Sequence, residues 1–236
     1  MRSSNHFGPH TTLREIAERS AGGRRVFDRV GLDYCCDAQR TLADACEDVQ
    51  APVDGVLETL EREYWSGRGP LTRERTRPSL RSRVLLVERV HDRSRKMMET
   101  IDEKLAHLGP PPEGTALAGV AAAFHVLRNE VDSRMDSEEH EIFGQLDDLG
   151  AWGTSMHPEG PALGLRLRLA REHHASIGAL LKRLRHASHG CCNVPNLRQL
   201  CHDLRRFDRH LVHQVYLENE VLFRRALLIL AAQERA

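Results

Sequence analysis

Six polar residues stand where apolar ones are expected. His91, Arg134, Glu138, His174, Gln214 and Glu218 each fall in register with apolar residues spaced three and four apart. That spacing marks the inner face of an α-helix. A carboxylate buried alone loses its hydration, so it is costly unless it is paired or neutralised. Two carboxylates, two imidazoles and a guanidinium at one level of a core need an organising charge. A metal ion supplies one, and helical bundles build metal sites from inward-facing His and Glu. Taken singly, each residue has a plainer reading. A lone His on an apolar face is a hydrogen-bonded core residue, and Glu138 can pair with Arg134 one turn before it. The coincidence on four separate stripes is what points to a site.

Other residues of ligating type fit less well. His173 precedes His174 and lies off its stripe. His210 and His213 flank the fourth stripe and read as outer-shell or surface groups. His140, after Glu138-Glu139, is expected to face outward. His186, His189, Cys191 and Cys192 have soft-ligand chemistry without a zinc-site spacing. Cys35 and Cys36 are adjacent thiols that follow a short helix, with Arg40 nearby to favour a thiolate. They are the candidate catalytic residues, and the plain alternative is two thiols packing a small module.

The elements that must position these groups are helices. Leu80, Val84, Val87, His91, Ser94, Met98, Ile101 and Leu105 form the first long stripe. Leu117, Val120, Phe124, Leu127, Val131, Arg134, Glu138 and Ile142 form the second. Leu163, Leu167, Ala170, His174, Ile177, Leu181 and Leu184 form the third. Leu197, Leu200, Leu204, Phe207, Leu211, Gln214, Glu218 and Val221 form the fourth. Gly109 with three prolines, the stretch Gly150 to Pro161, and Ser188 to Pro195 read as the loops between them. Four such helices with modest loops predict an all-α, up-down four-helix bundle over residues 79–236. No repeat beyond the helical periodicity is found.

Before it, residues 1–66 predict a small helical module. Thr12 and Glu15 make a capping box, Gly22-Gly23 is the expected break, and Arg24 to Val30 the next helix, capped by Gly31. Thr41 with Asp44 opens a helix that ends near Cys46, and Pro52 suits the first turn of a fourth. Residues 67–78, rich in Gly, Pro and Arg, read as a linker.

Composition narrows the function classes. Thirty-four acidic residues balance 34 basic ones, so no net field favours nucleic acid or an anionic membrane. Aromatics make up only 5%, which argues against a base-stacking platform. Apolar runs are too short to span a bilayer, and the first ten residues carry no secretory stretch. A cytoplasmic protein with reduced thiols is expected, since adjacent cysteine pairs do not make a disulfide scaffold.

Specific stretches resemble a known family. Asp33-Tyr34-Cys35-Cys36, followed by Arg40-Thr41-Leu42-Ala43-Asp44-Ala45-Cys46, is similar to the N-terminal module of the RIC (repair of iron centres) proteins. His91-Asp92-Arg93, Ser137 to Phe143, Glu172-His173-His174 with Ile177 to Leu181, and Leu217 to Phe223 resemble the four helix motifs of their haemerythrin-like domain. The resemblance covers nearly the whole chain. It implies iron–sulfur cluster repair after damage by nitric oxide or oxidants, damaged iron–sulfur proteins as clients, and an electron donor. It also implies a di-iron centre with four histidines and two bridging glutamates.

Carried over, the ligands present are His91, Glu138, His174 and Glu218. Two expected histidines, each four residues before a glutamate, are replaced by Arg134 and Gln214, and Asp37-Ala38 replaces an expected Gly-Gly. Arg134 cannot ligate a metal at neutral pH but can neutralise two carboxylates, standing where a second cation sat. Gln214 can donate to a carboxylate or offer a weak oxygen ligand. The remaining set suits a mononuclear iron in preference to di-iron, with manganese or zinc as alternatives. Two other readings stay open: a haemerythrin-like sensor or binder of oxygen or nitric oxide, and a metal-free relic acting by contacts.

Overall fold

A computed structural model describes residues 6–32, 34, 38–66, 79–152, 157–191 and 194–235. Cys35, Cys36, Asp37 and Cys192, and the expected linker at 67–78, lie outside the described residues. The chain divides into two compact units, Met1–Arg77 and Pro78–Ala236.

In the first unit, Thr12 and Glu15 close the expected capping box on α1 (Leu13–Arg19). The break that follows is Ser20, not Gly22-Gly23. Ser20 takes an extended backbone that ends α1, and its Oγ accepts from Gly23 N–H to start α2 (Ala21–Val30). The two glycines sit in the first turn of α2, where close packing excludes side chains. A Cβ on Gly22 would lie 2.9 Å from Glu63 Cβ, and one on Gly23 would lie 2.8 Å from Ile16 Cγ2. Gly31, at φ +85°, caps α2 as its sequence position suggests. Helices α3 (Leu42–Asp48) and α4 (Val53–Ser66) complete the unit. Its core holds Ile16, Phe27, Tyr34, Leu42 and Leu60.

The second unit is the expected all-α, haemerythrin-like bundle. Its helices are α5 (Leu80–His107), α6 (Ala116–Glu138), α7 (Gly144–Trp152), α8 (Gly160–His189), α9 (Arg198–Tyr216) and α10 (Arg224–Gln233). Two π-helical segments, Glu139–Phe143 and Leu217–Phe223, join α6 to α7 and α9 to α10, making two continuous rods. The expected loop from Gly150 therefore starts later, because α7 runs on to Trp152.

Cross-helix pairs fix the up-down order. Arg95 reaches Asp136 while Arg128 reaches Asp102, so α5 and α6 run antiparallel. His91 meets Glu218 while Lys104 meets Asp203, which sets α5 against the α9 rod. Arg185 meets Asp208 and His174 meets Asn219, which sets α8 against the same rod.

The first and third stripes are buried at every position. Each apolar side chain so buried contributes about 1.5–3 kcal/mol. The fourth stripe departs after Glu218, where Val221 is only partly buried and Leu222 and Phe223 are inside. A π turn inserts one residue per turn, so the inward face slips by one position. Among the described residues no helix is long and apolar enough to cross a membrane.

Candidate metal centre

Antiparallel packing brings the mid-helix polar residues to one level. His91, His174, Gln214 and Glu218 are fully buried, and Glu138 and Arg134 nearly so. Glu138 and Glu218 stand side by side and each turns its two oxygens in different directions. Glu138 Oε1 and Glu218 Oε2 accept from Arg134 Nη1 at 2.9 and 3.0 Å. Arg134 Nη1 also meets His174 Nε2. On the other side, Glu218 Oε1 lies 2.8 Å from His91 Nε2 and accepts from Gln214 Nε2 at 2.9 Å. Glu138 Oε2 has no hydrogen-bond partner among the described residues, and His91 Nε2 is 3.7 Å away.

Donor atoms of His91, Glu138 and Glu218 all lie within 4.8 Å of one another. His174, expected beside them, turns its Nε2 to Arg134. It sits 3.0 Å from Glu138 Oε1 and 3.2 Å from Glu218 Oε2. The arrangement is thus two-sided, with the glutamates as the shared wall.

The two sides repeat one local design, which the sequence reading did not find. Glu138-Glu139-His140-Glu141-Ile142-Phe143 and Glu218-Asn219-Glu220-Val221-Leu222-Phe223 carry matching roles. The residue after each glutamate holds a histidine Nδ1: Glu139 Oε1 at 2.7 Å from His91, and Asn219 Oδ1 at 2.6 Å from His174. The phenylalanine five places on packs against the same imidazole. Phe143 lies 5.6 Å from the His91 ring, and Phe223 stacks on His174 at 5.9 Å. The π segments carry the residue after each glutamate round toward the histidines. Glu139 and Asn219 were therefore missed, although the shared Glu-x-x-x-x-Phe spacing was a readable signal.

Electrostatics differ between the sides. Burial works to depress the His91 pKa, but hydrogen bonds to Glu139 and Glu218 and their charges win, raising it to about 9. Burial works to raise Glu139, and the hydrogen bonds from His91 and Arg95 pull it down to about 2. Glu218 is held below the usual carboxylate range: burial opposes this, and the charge of Arg134 with the His91 hydrogen bond prevails. Arg134 stays charged, since the carboxylates outweigh its desolvation. Gln214 is fixed from behind by Ser94 Oγ, which donates to its Oε1 at 2.5 Å.

The remaining histidines sit elsewhere. His140 is exposed and bonds the Asp136 carbonyl at 2.7 Å. His173 is exposed on a cavity of 320 Å³ that opens between α6 and α8 and reaches Arg134 and Glu138. His210 donates to the Val90 carbonyl at 3.3 Å, and His213 stacks on Tyr216. His186 and His189 are exposed near the end of α8, whereas Cys191 is buried.

Comparisons with known proteins agree with the resemblance at family level. Residues 9–64 match the ScdA_N model, described as a domain of unknown function (DUF542). The chain is 24% identical to the iron-sulfur cluster repair protein YtfE of Citrobacter koseri over 225 residues, 91% of this chain and 96% of that protein. It is 23% identical, over the same shares, to the proteins of that name from Escherichia coli O1:K1 / APEC and Escherichia fergusonii. Similarity to iron–sulfur cluster repair proteins therefore runs along most of the chain.

Proposed function

We propose that this chain binds iron in its bundle core and acts in the repair of damaged iron–sulfur clusters. One observation carries the reading: His91, Glu138 and Glu218 converge within 4.8 Å in the buried core, with Glu138 Oε2 left without a hydrogen-bond partner among the described residues. One imidazole and two carboxylates suit a borderline divalent ion such as iron, manganese or zinc, and the likeness to repair proteins favours iron. His91, Glu138 and Glu218 would hold it, and the bound ion would supply redox and Lewis-acid chemistry. The protein's own part is orientation and shielding. Glu139 fixes the His91 ring through Nδ1 and so presents Nε2 to the shared glutamates. Phe143 packs against the His91 ring. Cys35 and Cys36 would pass iron or electrons to a damaged client, or react with nitric oxide-derived species.

Protein purified anaerobically without added metal is expected to carry about one iron per chain and to speed reactivation of a nitric oxide-treated [4Fe–4S] hydro-lyase. Cys35→Ser with Cys36→Ser should retain the iron and lose the reactivation. A folded wild type with neither iron nor reactivation would leave only the reading of a bundle that acts by contacts.

Glu139→Gln tests the support of the site. The amide keeps a hydrogen bond to His91 Nδ1 but removes the charge that strengthens the imidazole as a ligand. Iron affinity, measured by competition with a chromophoric chelator, is expected to fall about 10–100-fold. An unchanged affinity would show that the Glu139–His91 pair is only structural.

A further inference from the structure

We infer that Arg134 permanently occupies one of two cation positions shared by Glu138 and Glu218, so that the core takes a single divalent ion, on the His91 side, while His174 holds the arginine instead of the metal. This rests on the reading that the core binds a metal, and it says which half does so. A two-metal centre does not fit these residues, because a guanidinium nitrogen lies where one ion would have to sit.

Three independent features support the assignment. The first is the division of oxygens. Each glutamate gives one oxygen to Arg134 Nη1, and turns the other toward His91 Nε2. Glu138 Oε2 is the unpartnered one, on a residue almost wholly buried, and it faces the His91 side. A buried acceptor without a donor is where a cation is most needed.

The second is the way the two histidines are held. Asn219 Oδ1 accepts from His174 Nδ1–H, and His174 Nε2 is turned to the Arg134 guanidinium and the two carboxylate oxygens that bind it. His91 Nδ1 instead meets a carboxylate, Glu139. A carboxylate behind the imidazole is the arrangement that strengthens a metal-ligating histidine. The same position in the repeated design is thus charged on one side and neutral on the other. The neutral side faces a cation built into the chain.

The third is charge. Glu139 is already paired with Arg95, so Glu138 and Glu218 supply the two negative charges that Arg134 faces. One divalent ion with the guanidinium exceeds them by a single charge. A second divalent ion beside Arg134 would exceed them by three in a buried site.

Gln214 completes the metal half. Its Nε2 now donates to Glu218 Oε1, and its Oε1 accepts from Ser94. A hydroxyl can donate or accept, so Ser94 supports the amide in either orientation. Turned over, Gln214 offers its oxygen to the ion beside Glu218, an orientation that repels the carboxylate unless a cation is present.

Anaerobic titration of Fe(II) into metal-free wild type, His91→Gln and His174→Gln tests this, with electron paramagnetic resonance of the air-oxidised samples. The glutamine at 174 keeps an oxygen that can accept from Arg134, so the fold is preserved. Wild type should bind one ion per chain and show an isolated high-spin ferric signal. His91→Gln should weaken binding at least about 10–100-fold, the range already expected for losing a ligand's support. His174→Gln should stay within about threefold of wild type, well below that range. Two ions in wild type, a spin-coupled pair, or equal losses in both variants would overturn the assignment while leaving metal binding intact. No binding by folded wild type would overturn both.

Discussion

Replacing Arg134 by His is expected to raise metal uptake by one ion per chain. The new imidazole would sit one turn before Glu138, on the same inward face, within reach of the oxygens that now accept from Arg134. His174 Nε2, released from the guanidinium, becomes available to the same ion. The substitution also deletes a fixed positive charge. At about 4 Å and an effective dielectric near 20, a unit charge repels a divalent ion by roughly 8 kcal/mol. Removing that repulsion leaves the two carboxylates to attract a second ion. Gln214→His acts on the other half, where a stronger ligand should tighten the first ion without adding a second. The double variant should therefore bind an additional ion, with the first held more tightly than in either single variant. Iron titration of all four proteins reads out both effects. An Arg134→His protein that binds no more iron than wild type would show that Arg134 does not fill a cation position.

Arg134→Met should have a large effect of another kind, on the metal-free protein. Methionine fills similar volume but leaves Glu138 Oε1, Glu218 Oε2 and His174 Nε2 without the donor they share. Removing one partner from a buried ionic cluster costs about 3–5 kcal/mol. For a unit of this size, each kcal/mol corresponds to roughly 2–4 °C in the melting temperature, so a drop of about 10 °C is expected. Added divalent metal should restore more stability to the variant than it adds to wild type, because it can now enter both halves. A metal-free variant that melts within about 2 °C of wild type would mean that the carboxylates relax or protonate at little cost.

The bundle was legible because its stripes are long and regular. In α5 and α8 every residue of the apolar register is inside, including His91 and His174. Six core polar positions could be read from that register alone. The register fails after each glutamate, where the chain changes to π-helical turns. Glu139, Asn219 and Glu220 would face outward on an α-helix, so a period of 3.6 hides the residues that orient the histidines. The direction in which each side chain turns was also out of reach. Sequence placed His174 and Arg134 on neighbouring stripes, but only packing shows them meeting each other. In the first unit, Ser20 shows a similar limit. A Gly-Gly pair signals a break by default, yet a serine that ends one helix and caps the next leaves the glycines free for close packing.

The guanidinium in the core has a consequence for how the protein matures. A metal reaches its place only if the cell can spare one, and it can leave again. Arg134 arrives with translation and stays for the life of the chain. Half of the positive charge that Glu138 and Glu218 require is therefore written in the gene and independent of iron supply. A newly made or iron-starved molecule keeps its two glutamates anchored, and the remaining half can stay ready for a single ion.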